Sequence, residues 1–252
     1  MIAVSEIPLL DSNKLAIIKA IADGYKKDIQ DFKAEFNIET FNSIHFLKWD
    51  FANTNIINTL TDDRFQCIKV KRGSWTIVMI YDTETHFLYT LMKEERLAQL
   101  QDRVVKEKVH YLDALSSINK GLEGKSNHNK SLQLSFFTEE SVWDESVESL
   151  LEELLGNLKG KVEQYVLIAF SMDKSEIKSI RAIIPNEHLA VTYEEEWTDL
   201  IPVDFDTSNP YESSILEDED EEIEIKLRKN AILNEDNLIQ LRNDKTEKKQ
   251  DK

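Results

Sequence analysis

Apolar positions along this chain recur with two periods, near 3.6 and near 2, and the switches between them mark the expected helices and strands. The clearest block runs from Phe65 to Leu91. Its first run alternates, with Phe65, Cys67 and Lys69 facing one way and Gln66, Ile68 and Val70 the other. Trp75 to Tyr81 is nearly continuous in apolar and β-branched residues, as in a central strand covered on both faces. Arg72-Gly73 supplies the positive-φ position of a tight hairpin, and Asp82 to His86 makes a looser polar turn. The block therefore reads as a three-stranded antiparallel meander. A second meander is expected over 165–193. There Tyr165–Met172 and Ile177–Ile184 flank the turn Asp173-Lys174-Ser175, and Leu189–Tyr193 forms a last strand before Glu194-Glu195-Glu196-Trp197.

The helical period governs the rest of the body. Asp11 and Ser12 are good N-caps for Leu15, Ile18, Ala22, Tyr25, Ile29 and Phe32, which predicts one amphipathic helix of about five turns. Phe41 to Asp50 is mixed and reads as a strand or irregular segment leading into a second helix, Asn53 to Leu60. Lys93 opens a third helix with Leu97, Leu100, Val104 and Val105 on its stripe, running to Lys108; the period then continues through Leu112, Leu115, Ile118 and Leu122. After a polar loop at Lys125–Lys130, the best internal candidate for a mobile segment, Leu132–Phe137 alternates like a strand. A helix follows, with Thr138-Glu139-Glu140-Ser141 in its first turn, where the dipole favours acids, and Leu150, Leu151, Leu154 and Leu155 on its stripe. Strands follow strands through short turns, so the expected class is α+β: an antiparallel sheet of two three-stranded meanders with amphipathic helices packed on it, residues 1–203 forming one domain.

Beyond Pro202 the chain changes character. Asp204 through Glu224 holds ten acids and no Lys or Arg, including Glu217, Asp218, Glu219, Asp220, Glu221 and Glu222 in succession. Such a block is too charged and too poor in core residues to fold by itself. Residues 225–252 are more basic, with a short helix expected over 222–241. The stretch 204–252 thus reads as a charged, partly disordered extension.

Charge narrows the partners. A net charge of −17 on 252 residues opposes contact with a nucleic-acid backbone or an anionic membrane and favours a protein partner, basic or itself nucleic-acid-binding. A homo-oligomer is compatible with the same surface. The single cysteine, Cys67, cannot close an internal disulfide, the N-terminus lacks a basic n-region, and no apolar run approaches a spanning helix. Together these imply a cytoplasmic protein.

Catalytic signatures are scarce. His45, His86, His110, His128 and His188 show no metal-ligand spacing, and G-x-S-x-G, Walker-type and G-x-G-x-x-G motifs are absent. No cofactor or metal is implied. Asp173, Glu176 and Lys178 form a loose version of the acid, acid-x-Lys pattern of metal-dependent nucleases, with Asp82 or Glu84 as alternative first acids. A metal-dependent hydrolase or nuclease with a dispersed site is the alternative function.

Tryptophan offers different chemistry. Trp49, Trp143 and Trp197 directly neighbour charged residues and Trp75 follows Arg72-Gly73-Ser74, and Trp49 and Trp197 with Glu194, Glu195 and Glu196 make the best candidate interface anchors. Lys48-Trp49-Asp50, Arg72-Gly73-Ser74-Trp75-Thr76 and Glu194-Glu195-Glu196-Trp197 together resemble a family of functionally uncharacterised proteins of Gram-positive bacteria and their mobile elements. That resemblance spans 40–200 and implies no activity. The sequence thus points to a non-enzymatic acidic protein-binding module, whether regulator, immunity-type protein or counter-defence factor, with Trp49, Trp197, Glu194–Glu196 and Glu217–Glu222 as its contacts.

Overall fold

A computed structural model of the chain describes residues 6–103, 105–106, 108–123, 133–134 and 140–202. Three helices come first: α1 (Asp11–Tyr25), α2 (Lys27–Phe36) and α3 (Ile44–Thr59). The strands β1 (Phe65–Arg72), β2 (Trp75–Asp82) and β3 (Phe87–Lys93) follow. Next come α4 (Glu94–Gln101), β4 (Val105–Lys106), α5 (Tyr111–Ser116), β5 (Gln133–Leu134) and α6 (Glu140–Leu155). The strands β6 (Gln164–Asp173), β7 (Glu176–Pro185) and β8 (Val191–Glu196) close the body.

The class is α+β. Six strands form one sheet in the order β1-β2-β3-β6-β7-β8, and β4 and β5 form a small separate pair. Both expected meanders are present and antiparallel, but they meet through β3 and β6, which run parallel from Phe87↔Gln164 to Lys93↔Phe170. The sheet is therefore mostly, not wholly, antiparallel. Two adjacent parallel strands cannot be joined by a tight turn, so α4, α5 and α6 belong to a crossover between the meanders.

Strand alternation sorts side chains into two cores. On one face Ile80, Val166, Ile168, Phe170, Ile180 and Ala182 pack against Ile17, Ile18 and Ile21 of α1 and Ala52 and Ile56 of α3. On the other, Met79, Leu88, Leu167, Ala169 and Ile183 meet Leu97, Leu100, Leu112, Leu115 and Leu154 of the crossover helices. Helices thus cover both faces, which explains the continuous apolar character of β2 and β6.

Several sequence expectations need correction. The first helix is interrupted at Lys26 (φ −117°, ψ −71°) and resumes as α2. Asn55 of α3 explains the docking on both sides of the break, since its Nδ2 donates to the Ala20 carbonyl at 3.3 Å and to Asp28 Oδ2 at 2.6 Å. Residues 44–59 are one helix, not a strand or irregular segment leading into a helix that starts at Asn53. Its buried row is Ile44, Lys48, Ala52 and Ile56, every fourth residue, and the lysine in that row hides the period. The helix expected over 93–108 ends at Gln101. Last, β8 runs through Glu194–Glu196 instead of stopping before them. The expected loop 125–130, the strand residues Leu132 and Ser135–Phe137, and the extension 204–252 with its helix lie outside the described residues.

Polar locks set the ends of the sheet. Asn119 is 2% exposed; its Nδ2 donates to the carbonyls of Tyr165 and Pro185, and its Oδ1 accepts from Tyr165 N–H. It ties the crossover to the starts of β6 and the finish of β7. His110 caps α5: its Nδ1 accepts from Leu112 N–H at 3.1 Å while Asp113 accepts from His110 N–H. Burial pushes the His110 imidazole down to about 4, so it is neutral in the fold at neutral pH. Its folded value lies below the unfolded one, near 6.5, so the unfolded chain binds the extra proton between the two. Stability is therefore expected to fall as pH drops from about 6.5 to about 4, by up to about 3 kcal/mol. Urea unfolding across that window is the check, and His110→Asn, which keeps a capping acceptor, should flatten the profile.

Candidate functional site

The residues singled out in the sequence occupy different places. Trp197 is 0% exposed and belongs to the core beneath α1, so its ring presents no surface to a partner. Lys14 stands over that ring at 5.9 Å and donates to Glu195 at 2.5 Å. Trp49 is half-buried. It packs on Tyr25 at 6.3 Å, Trp75 at 5.8 Å and Phe170 at 5.5 Å, joining α1, α3 and the sheet. Lys48 and Lys93 lie over the same Tyr25 ring, at 5.7 and 5.9 Å. These are cation–π contacts of a packed seam.

Strand alternation splits the acidic run. Glu195 faces α1 and Lys14, whereas Glu194 accepts from Arg181 at 2.6 Å on the opposite face. Arg181 also pairs with Glu94, and this double pairing holds its guanidinium above the usual range. Glu196 accepts from Thr198. Three adjacent glutamates therefore serve three separate local contacts. The run Glu217–Glu222 lies outside the described residues.

The acid and lysine pattern near β7 is not completed in space. Asp173 and Glu176 face each other across the β6–β7 turn, and Glu176 accepts from Lys26 at 3.0 Å. Asp82 lies at the other end of the sheet, beside the starts of β1 and β3, and is held by Arg64. A strand the length of β6 separates the two ends, about 30 Å. Among the described residues no group of three or more His, Cys, Asp or Glu is placed to hold a metal ion. Nor is any described helix long and apolar enough to cross a membrane.

What the fold does assemble is an aromatic face on the α2–α3 hairpin. Phe32 and Phe36, one turn apart on α2, pack in a tilted pair at 4.6 Å, and Phe32 also meets Phe41 at 6.1 Å and Phe51 of α3 at 5.9 Å, both edge-on. α2 buries just one residue, Ile29, and packs chiefly on α1 and α3. The apolar stripe of this helix is thus wider than its own fold covers. Phe36 is 55% exposed and Ile38, past the left-handed Asn37 (φ 44°), is 43% exposed. Asp31, Glu35 and Glu39 are exposed neighbours in sequence of Phe32, Phe36 and Ile38, while Lys33 folds back over Phe41 at 4.9 Å.

Comparison with known proteins places the chain. Residues 7–248 match the family of unknown function DUF5986. The chain belongs to that family. No curated protein and no solved structure matches it. In this member of DUF5986 the aromatic face draws on four phenylalanines spread from 32 to 51, and sequence reading passed over it. A signal was present: Phe36 extends the period of Ile29 and Phe32 beyond the length needed to cover α1.

Proposed function

We propose that the protein is a non-enzymatic, acidic protein-binding module whose contact surface is the phenylalanine face of the α2–α3 hairpin. The observation that carries this reading is the exposure of Phe36 and Ile38 beside a cluster of phenylalanine rings in contact, since clustered exposed apolar side chains mark interaction sites. The expected partner is a basic amphipathic segment. Its apolar side would cover Phe36 and Ile38, and its cations would meet Asp31, Glu35 and Glu39, in keeping with a net charge of −17. The acidic run Glu217–Glu222 adds negative charge on the same chain and is proposed as a further attraction for that partner. A regulator, an immunity-type protein or a counter-defence factor would each be served by such a contact surface.

The test compares tagged wild type with Phe36→Ser and Glu35→Lys/Glu39→Lys in affinity recovery from nuclease-treated host extract. Both variants change exposed positions, so folding should shift by no more than about 0.5 kcal/mol. A partner lost from both, by about tenfold or more, is the expected result. Equal recovery by all three proteins rejects the face as the contact. Self-association of the wild type through Phe36, seen as a concentration-dependent dimer, also overturns the basic partner.

A further inference from the structure

The two edges of the sheet are not alike. β8 is short, follows a register shift at Ile184/Pro185, and has two of its glutamates engaged by Lys14 and Arg181. β1 runs for eight residues in unbroken register with β2, from Phe65↔Asp82 to Arg72↔Trp75. No strand pairs with its outer side among the described residues. Every second residue of such a strand directs its N–H and C=O away from the sheet, toward an absent neighbour.

The side chains of β1 say what neighbour would fit. On one face Lys69 and Lys71 are exposed and make no ion pair among the described residues. On the other, Ile68 and Val70 are half-buried and pack against the core under the crossover helices, beside Arg72, which stands 3.8 Å from Glu153 of α6. β1 carries three cations and no acid on a chain of net charge −17. Screening confines each charge to its surroundings within about 8 Å, so the local sign of this edge governs what pairs with it.

We infer that β1 accepts an extended partner segment by β-strand addition, and that this segment alternates acidic and apolar residues. Its acids would lie beside Lys69 and Lys71, and its apolar residues would prolong the Ile68 and Val70 surface. The same lysines oppose β1 pairing with β1 of a second copy, because like charges would face one another across the new ladder. This surface is independent of the α2–α3 face and takes a ligand of opposite charge.

The experiment uses the full chain and an acetylated, amidated peptide alternating glutamate and valine, with a lysine–valine peptide as control. Amide hydrogen exchange is followed residue by residue. The acidic peptide at millimolar concentration is expected to slow alternate β1 amides between Gln66 and Arg72 by about tenfold, and the basic peptide to leave them unchanged. In Lys69→Glu/Lys71→Glu the preference should reverse; Lys69→Gln/Lys71→Gln, a milder change at the same exposed sites, should weaken the acidic peptide without admitting the basic one. Unchanged β1 exchange, or acidic-peptide binding indifferent to these substitutions, overturns the inference. So does protection of the same amides in a concentration-dependent dimer without peptide, which would assign the edge to a second copy.

Discussion

Gly24→Ala is expected to lower the unfolding free energy by about 3 kcal/mol, although alanine is the better helix former by about 1 kcal/mol. A Cβ at Gly24 would stand 2.5 Å from the Ala52 nitrogen, 2.7 Å from its Cα and 3.0 Å from the Phe51 carbonyl carbon. All three are backbone atoms, so no rotamer change on α3 relieves the clash. The helices must separate, and Ile17, Ile21, Ala52 and Ile56 would lose contacts in the core they share. Gly24→Val, larger and β-branched, should leave the chain largely unfolded. Urea denaturation of Gly24→Ala measures the loss, and the double variant with Ala52→Gly separates causes. Because the obstruction is backbone, removing the Ala52 side chain should not restore stability; substantial rescue would contradict this account of the crossing.

Asp82→Ala should cost about 4 kcal/mol, the range found when one partner of a buried ion pair is removed. Asp82 is fully buried at the end of β2. Its Oδ2 accepts from Arg64 Nη2 at 2.7 Å and Nε at 3.1 Å, and its Oδ1 accepts from Glu84 N–H at 3.0 Å. Arg64 in turn donates to the Pro8 carbonyl at 2.7 Å, fastening the segment before α1 to the sheet. Burial alone would push the Asp82 carboxyl up, but hydrogen bonds from Arg64, Thr85 and the Glu84 backbone outweigh it and hold it below the usual carboxylate range. Its folded value is depressed, so this stabilisation is complete above the unfolded value near 3.9 and disappears as pH falls below it through the folded one. Removing both charges in Arg64→Met/Asp82→Leu should recover most of the loss, since neither ion is then left unpaired. A double-mutant cycle in urea gives the coupling directly, and additive losses would show that the pair acts independently.

How much of this was legible beforehand differs element by element. β1, β2, β6 and β7 could be read because their periodicity is a local property of the chain and each lies against a core. The first half of α3 escaped, although its second half was expected from Asn53 on, because Lys48 buries its stem and sets its ammonium on the Tyr25 ring, so a buried position carries a charged letter. The break at Lys26 escaped because the apolar stripe continues through it, and only the Lys26 backbone angles and the docking of Asn55 on both sides mark it. The candidate surface was half visible: acidity was plain, but Trp197 looked like an anchor and is core, while Phe36 and Ile38 drew no notice and lie open.

Sequence alone, then, determined the α+β class, two three-stranded meanders, amphipathic helices and an acidic chain. These follow from residue periodicity and charge, which need no partner to be defined. Tertiary structure decided that β3 and β6 join the meanders in parallel, that three successive glutamates part company, and that four distant phenylalanines meet. Each of those depends on which surfaces touch across long stretches of chain, and nothing local to any one residue encodes that choice.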